Sequence, residues 1–230
     1  MKKVAVFRGT GIALFSLHLL LFSLCGTGAA GDLDHLLAKV PETVSGEDVA
    51  ELGEPGKKGD RRAVEALMRI VEQRRDDWEL QASAIRLLGE IANPIATELL
   101  IRVVTDHFFT NECPALKWNG IVALGNFKND SRVVEALLYR LNEDTLYLRE
   151  AVIQSLGKLG DREALPYLIA ALNDRRFAVR FSAVKALGAI EDPRAIPFLE
   201  RVAAGDGDPL IREEASKTLN LTFSGLQSQK

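Results

Sequence analysis

Histidine and cysteine, the side chains that most often hold metals or attack substrates, are scarce in this sequence. The chain has three His and two Cys among 230 residues. His107 and Cys113 lie six positions apart in a polar stretch, but two side chains are fewer than the roughly three or four protein ligands that a zinc site uses. We therefore predict no metal site. Cys25 lies in a presumed leader, which leaves Cys113 without an intrachain disulfide partner in the mature chain.

Two other sequence patterns could indicate a functional site, namely a phosphate-binding loop or a catalytic pair of carboxylates. GEPGKKGDRR at residues 53–62 combines glycines with basic residues, but it lacks the strand–loop–helix context and the spacing of a phosphate-binding loop. Glu213 and Glu214 are direct neighbours, so on a helix their carboxylates point in different directions. The sequence thus predicts no catalytic residue, no cofactor and a protein that is not an enzyme.

The first thirty residues have the order of a secretory signal peptide. Three basic residues and no acid come first, the apolar run IALFSLHLLLFSL follows at residues 12–24, and CGTGAA closes the segment. The run is shorter than the about twenty residues that cross a bilayer. We predict that residues 1–30 are removed and that the mature chain is exported to the periplasm or the cell envelope. Two alternatives stay open, namely retention by an uncleaved signal and lipid attachment at Cys25.

The charge of the mature chain restricts its partners. Without residues 1–30 the chain carries 26 basic and 32 acidic residues, a formal net charge of −6. Nucleic acids and anionic membrane surfaces attract proteins with a basic excess. We therefore expect neither a nucleic-acid partner nor a membrane-spanning segment after signal cleavage.

The elements that would position any binding residues form an internal repeat. LGKLGDREALPYL at residues 156–168 returns as LGAIEDPRAIPFL at residues 187–199, with six of thirteen positions identical. The Leu-Gly pair recurs along the chain at spacings of 36, 36, 32 and 31 residues, and the last copy, after 32 more, has Asn for Gly. The copies are Leu52-Gly53, Leu88-Gly89, Leu124-Gly125, Leu156-Gly157, Leu187-Gly188 and Leu219-Asn220.

Each period contains two amphipathic helices. ALPYLIAALN at residues 164–173 and FAVRFSAVKALGAI at residues 177–190 each place apolar residues on one helical face. One such pair cannot bury its own apolar face, so neighbouring pairs stack. We predict five two-helix units over residues 60–221, a degenerate N-terminal capping repeat at 31–59 and a flexible tail at 222–230.

At these residues the chain resembles the HEAT-repeat family, in particular its short repeats of the phycobilisome-lyase type. The resemblance implies an all-α fold, a right-handed α-α superhelix, and it is specific for fold rather than for activity. The matching positions in one unit are Asp161, Ala164, Leu168, Leu172, Asp174, Val179, Arg180, Ala183, Ala186, Leu187, Gly188 and Asp192.

The resemblance also implies a structural ladder on the second helix of each unit. In HEAT proteins an Arg seven residues before the conserved Leu tends to bridge to an acid in the preceding turn. The ladder positions are Gln81, Lys117, Arg149, Arg180 and Arg212, and the acids in units three to five are Glu143, Asp174 and Asp206. The first two units lack the Arg, so the ladder is expected to end there.

Second helices line the concave face of HEAT-like solenoids, and two columns on them lie outside the predicted apolar stripes. The first column contains the aromatic residues Trp118 and Phe181, and the second contains Val122 among polar and charged residues. Aromatic anchors among charged neighbours are typical of binding surfaces. The candidate partner-binding residues are Trp118, Phe181, Arg86, Gln154, Lys185 and Lys217.

These observations predict an exported scaffold or adaptor that binds a protein or peptide through its concave face. The resemblance leaves a lyase or isomerase subunit related to bilin lyases as one alternative. A membrane-anchored structural protein of the envelope is another. The oligomeric state and the identity of the partner do not follow from the sequence.

Overall fold

The computed structural model describes residues 30–39, 43–106, 113–141 and 146–223. The chain divides into two compact units, residues 1–39 and 40–230. The first unit contributes one described helix, α1 (Ala30–Ala38). The predicted signal segment up to residue 29 lies outside the described residues, as do His107 and Glu143.

The second unit is an all-α solenoid of five two-helix repeats, and the described ranges contain no strand. The capping segment before the repeats holds α2 (Gly46–Glu51) and α3 (Gly53–Lys57). The first helices of the repeats are α4 (Arg61–Gln73), α6 (Thr97–Thr105), α8 (Ser131–Leu141), α10 (Leu165–Ala171) and α12 (Ile196–Gly205). The second helices are α5 (Trp78–Ile91), α7 (Pro114–Leu124), α9 (Leu146–Leu159), α11 (Phe177–Ile190) and α13 (Pro209–Thr222).

Polar turn residues start the first helix of each unit. The carboxylate of Asp161 accepts a hydrogen bond from the backbone N–H of Glu163 at 2.9 Å, and Asp192 does the same for Arg194 at 3.0 Å. Each cap satisfies one backbone donor that the first helical turn leaves without a partner. A short 3₁₀ turn then leads into the helix, as Pro193–Ala195 does before α12.

The glycine of each Leu-Gly pair lies where one second helix crosses the next. A Cβ atom added at Gly89 would lie 2.6 Å from the Cα of Ala123, and one added at Gly157 would lie 2.7 Å from the Cα of Ala186. Close-packed interiors have no room for such a group, so a larger residue would push the helices apart. The glycines and the residues they face are Gly53 with Leu87, Gly89 with Ala123, Gly125 with Ser155, Gly157 with Ala186 and Gly188 with Thr218.

The second helices form the more closely packed layer of the solenoid. Second helices of adjacent units pack against each other more extensively than first helices do. Leu156 and Leu187 on two of these helices are fully buried. Closer packing in this layer agrees with the expectation, implied by the resemblance to HEAT repeats, that second helices line the concave face.

The described helices at the two ends of the solenoid lie near the predicted boundaries. Within residues 31–59, α1 belongs to the first compact unit, whereas α2 and α3 belong to the second. At the other end, Thr222 is the last residue of α13 and Phe223 is 1% exposed. The ordered packing thus extends two residues beyond 221, and the rest of the predicted tail, 224–230, lies outside the described residues.

The close contact at Gly157 predicts that alanine destabilises the fold at this position but not at Gly205. Gly157→Ala should lower the melting temperature by roughly 3 to 10 °C, because overpacking costs about 1 to 3 kcal/mol in a domain of this size. Gly205→Ala is the matched control, since Gly205 is also helical but a Cβ there meets nothing within 4 Å. Circular dichroism melts of the two variants check this. Equal melting temperatures for both variants would show that the two helices separate at Gly157 without a loss of stability.

Candidate partner-binding surface

Large apolar side chains that remain exposed are concentrated on the second helices. Seven of the nine that the described residues contain lie there, and the other two, Tyr139 and Tyr167, lie on first helices. Clustered apolar exposure on one face of a soluble protein marks an interaction surface. The seven are Trp78, Trp118, Val122, Tyr147, Phe177, Leu210 and Leu221.

The two predicted aromatic anchors differ in their environment. Trp118 on α7 is 44% exposed. Phe181 on α11 is only half-buried, and its ring stacks on that of Phe177, with centroids 5.6 Å apart and planes inclined by 20°. Trp118 is therefore the more accessible of the two, and Phe181 acts together with the exposed ring of Phe177.

The predicted polar column is exposed along its length. Arg86, Gln154, Lys185 and Lys217 are all exposed on their second helices. The ammonium group of Lys185 lies 5.9 Å from the centroid of the Phe181 ring, which is within the range of a cation–π interaction. The structure thus brings Phe181 and Lys185 together, whereas Arg86 and Lys217 lie in other repeats.

A groove between α9 and α11 unites residues of both columns. It has a volume of about 510 Å³, within the approximate range of 300 to 1,000 Å³ that ligand sites occupy. Gln154 on α9 donates hydrogen bonds to Glu150 at 3.0 Å and across the groove to Ser182 at 3.4 Å. The lining residues are Glu150, Gln154, Gly157, Lys158, Phe181, Ser182, Lys185, Ala186 and Ala189.

Three residues of this surface, Tyr147, Phe177 and Lys158, were not predicted from the sequence. Tyr147 and Phe177 lie at the N-terminal ends of their helices, three or four residues before the first column. Continuing the helical spacing towards the N-terminus would have found both, because residues three or four apart share a helix face. Lys158 lies four residues beyond Gln154 and would have been found by the same step in the other direction.

The arginine ladder connects repeats rather than closing within one unit. The resemblance paired each Arg with the acid of its own preceding turn, but Arg180 donates to both carboxylate oxygens of Asp206 in the next unit, at 2.8 and 3.1 Å. Arg180 also donates a hydrogen bond to the backbone carbonyl oxygen of Asp174, in the turn of its own unit, at 2.9 Å. Arg149 likewise donates to Asp174, one unit further on, at 2.7 Å. Arg180 therefore joins two successive turns, and Arg149 makes the same contact to the following unit.

The ladder also sets the ionisation of its carboxylates. Burial alone would raise the pKa of Asp206, but the hydrogen bonds from Arg180 and from the backbone N–H of Asp208 outweigh burial and hold the pKa below its usual value. The pKa of Arg180 is raised, mainly because it is hydrogen-bonded to Asp206. Both groups are thus charged at neutral pH.

The ladder residues at the two ends of the solenoid donate to backbone oxygens. Arg212 in the last unit donates to the backbone oxygen of Asp206 at 2.6 Å. In the first unit Gln81 is buried and donates to the backbone oxygen of Val71 at 2.7 Å. Lys117 in the second unit is 6% exposed. Gln81 therefore contacts the last turn of the first helix of its own unit, α4, rather than the loop that Arg180 and Arg212 contact.

The described residues contain neither a cluster of metal ligands nor a helix that could span a membrane. In the described part of the chain, no three side chains of His, Cys, Asp or Glu come together as a metal site requires. Cys113 is half-buried at the N-terminal end of α7. None of the described helices combines the length and apolar content of a bilayer crossing.

A sequence profile of the HEAT repeats matches residues 102–174 and, overlapping with them, residues 134–220. Together the matches span residues 102–220, which is 119 of the 230 residues. This chain is a HEAT-repeat protein. The family that the repeat pattern resembled is thereby confirmed, together with its all-α solenoid fold.

Three solved structures are similar to this chain at low sequence identity. An engineered protein is 20% identical, with a TM-score of 0.57 over 84% of this chain and 97% of its own. Human deoxyhypusine hydroxylase in complex with glycerol is 21% identical, with a TM-score of 0.42 over 88% of each chain. The complex of CpcE and CpcF of phycocyanin lyase from Nostoc sp. PCC7120 is 17% identical, with a TM-score of 0.36 over 82% of this chain and 98% of that one. The similarity to the engineered protein shows a shared fold alone. No curated protein sequence matches this HEAT-repeat protein.

The ladder predicts strong coupling between Arg180 and Asp206. Their side chains are 18% and 7% exposed, so Arg180→Gln or Asp206→Asn should each cost about 1 to 3 kcal/mol by leaving the other group without its partner. A double-mutant cycle in urea should give a coupling energy above about 1 kcal/mol.

The surface pair Arg61 and Glu65 provides the matched control for this cycle. Its atoms are 2.6 Å apart, but the side chains are 73% and 48% exposed. Such exposed helical pairs contribute about 0.3 to 0.5 kcal/mol. A coupling energy for Arg180 and Asp206 no larger than that of the control pair would contradict a stabilising ladder.

Asp192 predicts a pH-dependent contribution to stability. Hydrogen bonds from the side chain and the backbone of Arg194 lower the pKa of this buried carboxyl to about 2. A lowered folded-state pKa stabilises the fold above the ordinary pKa of about 4, and this contribution disappears as the pH falls towards 2.

Asp192→Asn keeps the helix cap but removes the charge. At neutral pH it should cost on the order of 1 kcal/mol, because solvent around the exposed Arg194 screens the pair. The difference in unfolding free energy from the wild type should shrink between pH 4 and pH 2. Asp161→Asn, at the equivalent turn, is the control for losing a capping charge. A difference that stays constant down to pH 2 would contradict the lowered pKa.

Proposed function

We propose that this HEAT-repeat protein is an exported, non-catalytic scaffold or adaptor that binds a protein or peptide partner through its concave face. The observation that carries the proposal is that, among the residues the structure describes, seven of the nine exposed large apolar side chains lie on the second helices. Repeat stacking requires the buried stripes of these helices but not their exposed aromatic groups. An exposed row of such groups is what a partner would cover.

The row crosses several repeats, which favours an elongated partner. Trp78, Trp118, Tyr147 and Phe177 come from four successive second helices, and each is at least 40% exposed. Aromatic side chains bury a large area at low conformational cost, so they are over-represented among the residues that dominate binding energies. Concave surfaces of solenoids are used in this manner for extended partners.

Export is the second part of the proposal and rests on the sequence of residues 1–30. The basic start, the apolar run at residues 12–24 and the small residues after it support a cleaved signal. The mature chain would then act in the periplasm or the cell envelope.

The test compares Trp118→Ala with Tyr167→Ala in capture experiments from envelope extract. Both residues are similarly exposed, 44% and 46%, but Tyr167 lies on a first helix. We expect Trp118→Ala to lose the captured partner and Tyr167→Ala to retain it, with unchanged helicity in circular dichroism for both. Mass spectrometry of the bait isolated from its native host should give an N-terminus near residue 31.

Equal capture by the wild type and by both variants would remove the concave face from the proposal. An intact N-terminus on protein recovered from the cytoplasm would remove export. The two parts of the proposed function therefore fail separately.

A further inference from the structure

The groove between α9 and α11 carries two lysines without a carboxylate partner. Lys158 on α9 and Lys185 on α11 are both exposed. Among the described residues, neither ammonium group lies within 4.0 Å of a carboxylate, whereas Lys217 in the next repeat lies 4.0 Å from Glu214. The groove thus presents two positive charges from neighbouring helices.

The single acidic side chain of the groove is already engaged. Glu150 accepts hydrogen bonds from Gln154 at 3.0 Å and from the hydroxyl of Ser182 at 3.5 Å. These contacts bridge the two helices and turn the carboxylate of Glu150 towards Ser182. With one Glu and two Lys, the lining of the groove has a formal charge of +1. This local charge is opposite in sign to the net charge of the whole chain.

The groove also has an apolar side and a shallow floor of small residues. Gly157 and Ala186 are the pair through which α9 and α11 touch, so no large side chain fills the floor. Ala189 occupies the position at which other repeats carry Glu90 or Leu221. The ring of Phe181 borders this space.

We propose that this groove binds an acidic, extended peptide segment of the partner. A carboxylate of the segment pairs with Lys158 and Lys185, and an apolar side chain of the segment lies against Phe181 and the alanines. In an extended chain, residues two positions apart point to the same side at a separation of about 7 Å. This spacing fits a groove between helices whose axes are about 8 to 10 Å apart. The inference rests on the proposed function and names the chemistry of the partner.

Long-range repulsion between an acidic peptide and the acidic chain does not prevent this contact. Charges separated by more than about 8 to 10 Å are largely screened at physiological ionic strength. The lysines of the groove act at contact distance, where opposite charges select the orientation of a ligand more than they increase its affinity. The peptide charge therefore determines which segment is accepted.

The test uses purified full-length protein and a fluorescein-labelled peptide of ten residues. Every residue of the peptide is glutamate except for one central phenylalanine. Fluorescence anisotropy should show saturable binding. A matched peptide with glutamine at every glutamate should bind about tenfold more weakly, and so should the protein variant Lys158→Gln/Lys185→Gln. Two contact-distance charge pairs of about 0.7 kcal/mol each correspond to a tenfold change.

The control variant is Lys58→Gln/Lys128→Gln, which changes the net charge equally at exposed positions outside the groove. It should bind the acidic peptide as the wild type does. Replacing the phenylalanine of the peptide with alanine should weaken binding to the wild type, because the contact with Phe181 is lost. Circular dichroism of both variants confirms that they fold.

Three results would overturn the inference. The first is equal binding of the glutamate and glutamine peptides, or equal loss in both lysine variants. The second is binding of a charge-matched single-stranded oligonucleotide with the same dependence on Lys158 and Lys185. The third is self-association of the chain that the groove variant abolishes, which would make a second copy the occupant. Each of these outcomes leaves the Trp118-dependent capture of a partner standing, so failure of the inference can be distinguished from failure of the proposed function.

Discussion

The close contact between the glycine of one repeat and the second helix of the next is the constraint on which this structure depends. At Gly89 and Gly157 the neighbouring backbone occupies the space that a Cβ atom would need. Because this contact is made in the second-helix layer, the second helices of adjacent units pack more closely than the first helices do. The Leu-Gly pair therefore recurs because each glycine admits the following repeat, while each leucine fills the space between the layers.

The polar features of the solenoid follow from the same approach. Only closely packed second helices allow Arg180 to reach Asp206 while it also binds the turn of its own unit. The hydroxyl of Ser155 lies near enough to donate to the backbone oxygen of Ile121 in the preceding second helix, at 2.9 Å. Buried polar groups of this kind fix one register between repeats, because any other register would leave them without partners. The groove at Phe181 and Lys185 is likewise a product of two helices held at a short distance.

The sequence predicted the architecture well because packing is periodic. Every repeat needs the same apolar stripe, the same cap and the same small residue, so Asp161 and Asp192 or Gly157 and Gly188 appear at equal spacing. The pairing of Arg180 was predicted less well, because Asp174 and Asp206 are equivalent in a repeat pattern. Periodicity states that an Arg and an Asp recur, but it does not state how many units separate the two that touch.

The binding surface was the least predictable part for the opposite reason. Packing does not determine the type of an exposed residue, so the aromatic residues Tyr147 and Phe177 have no counterpart at a fixed position in every repeat and were not predicted. The stacking of Phe181 on Phe177 depends on the rotamers of two neighbouring side chains, which spacing alone does not define. Surface chemistry in a repeat protein is specific to single units, whereas the core is common to all of them.

Asn220 takes the glycine position in the fifth repeat and is exposed. At Gly89 and Gly157 this position admits a neighbouring backbone at a distance that a Cβ atom would obstruct, whereas Gly188 faces the side chain of Thr218. Asn220 carries a side chain at this position and therefore does not reproduce the close contact of Gly89 and Gly157. A head-to-tail contact between copies of this chain in that geometry would place the Asn220 side chain where those two repeats leave a bare backbone.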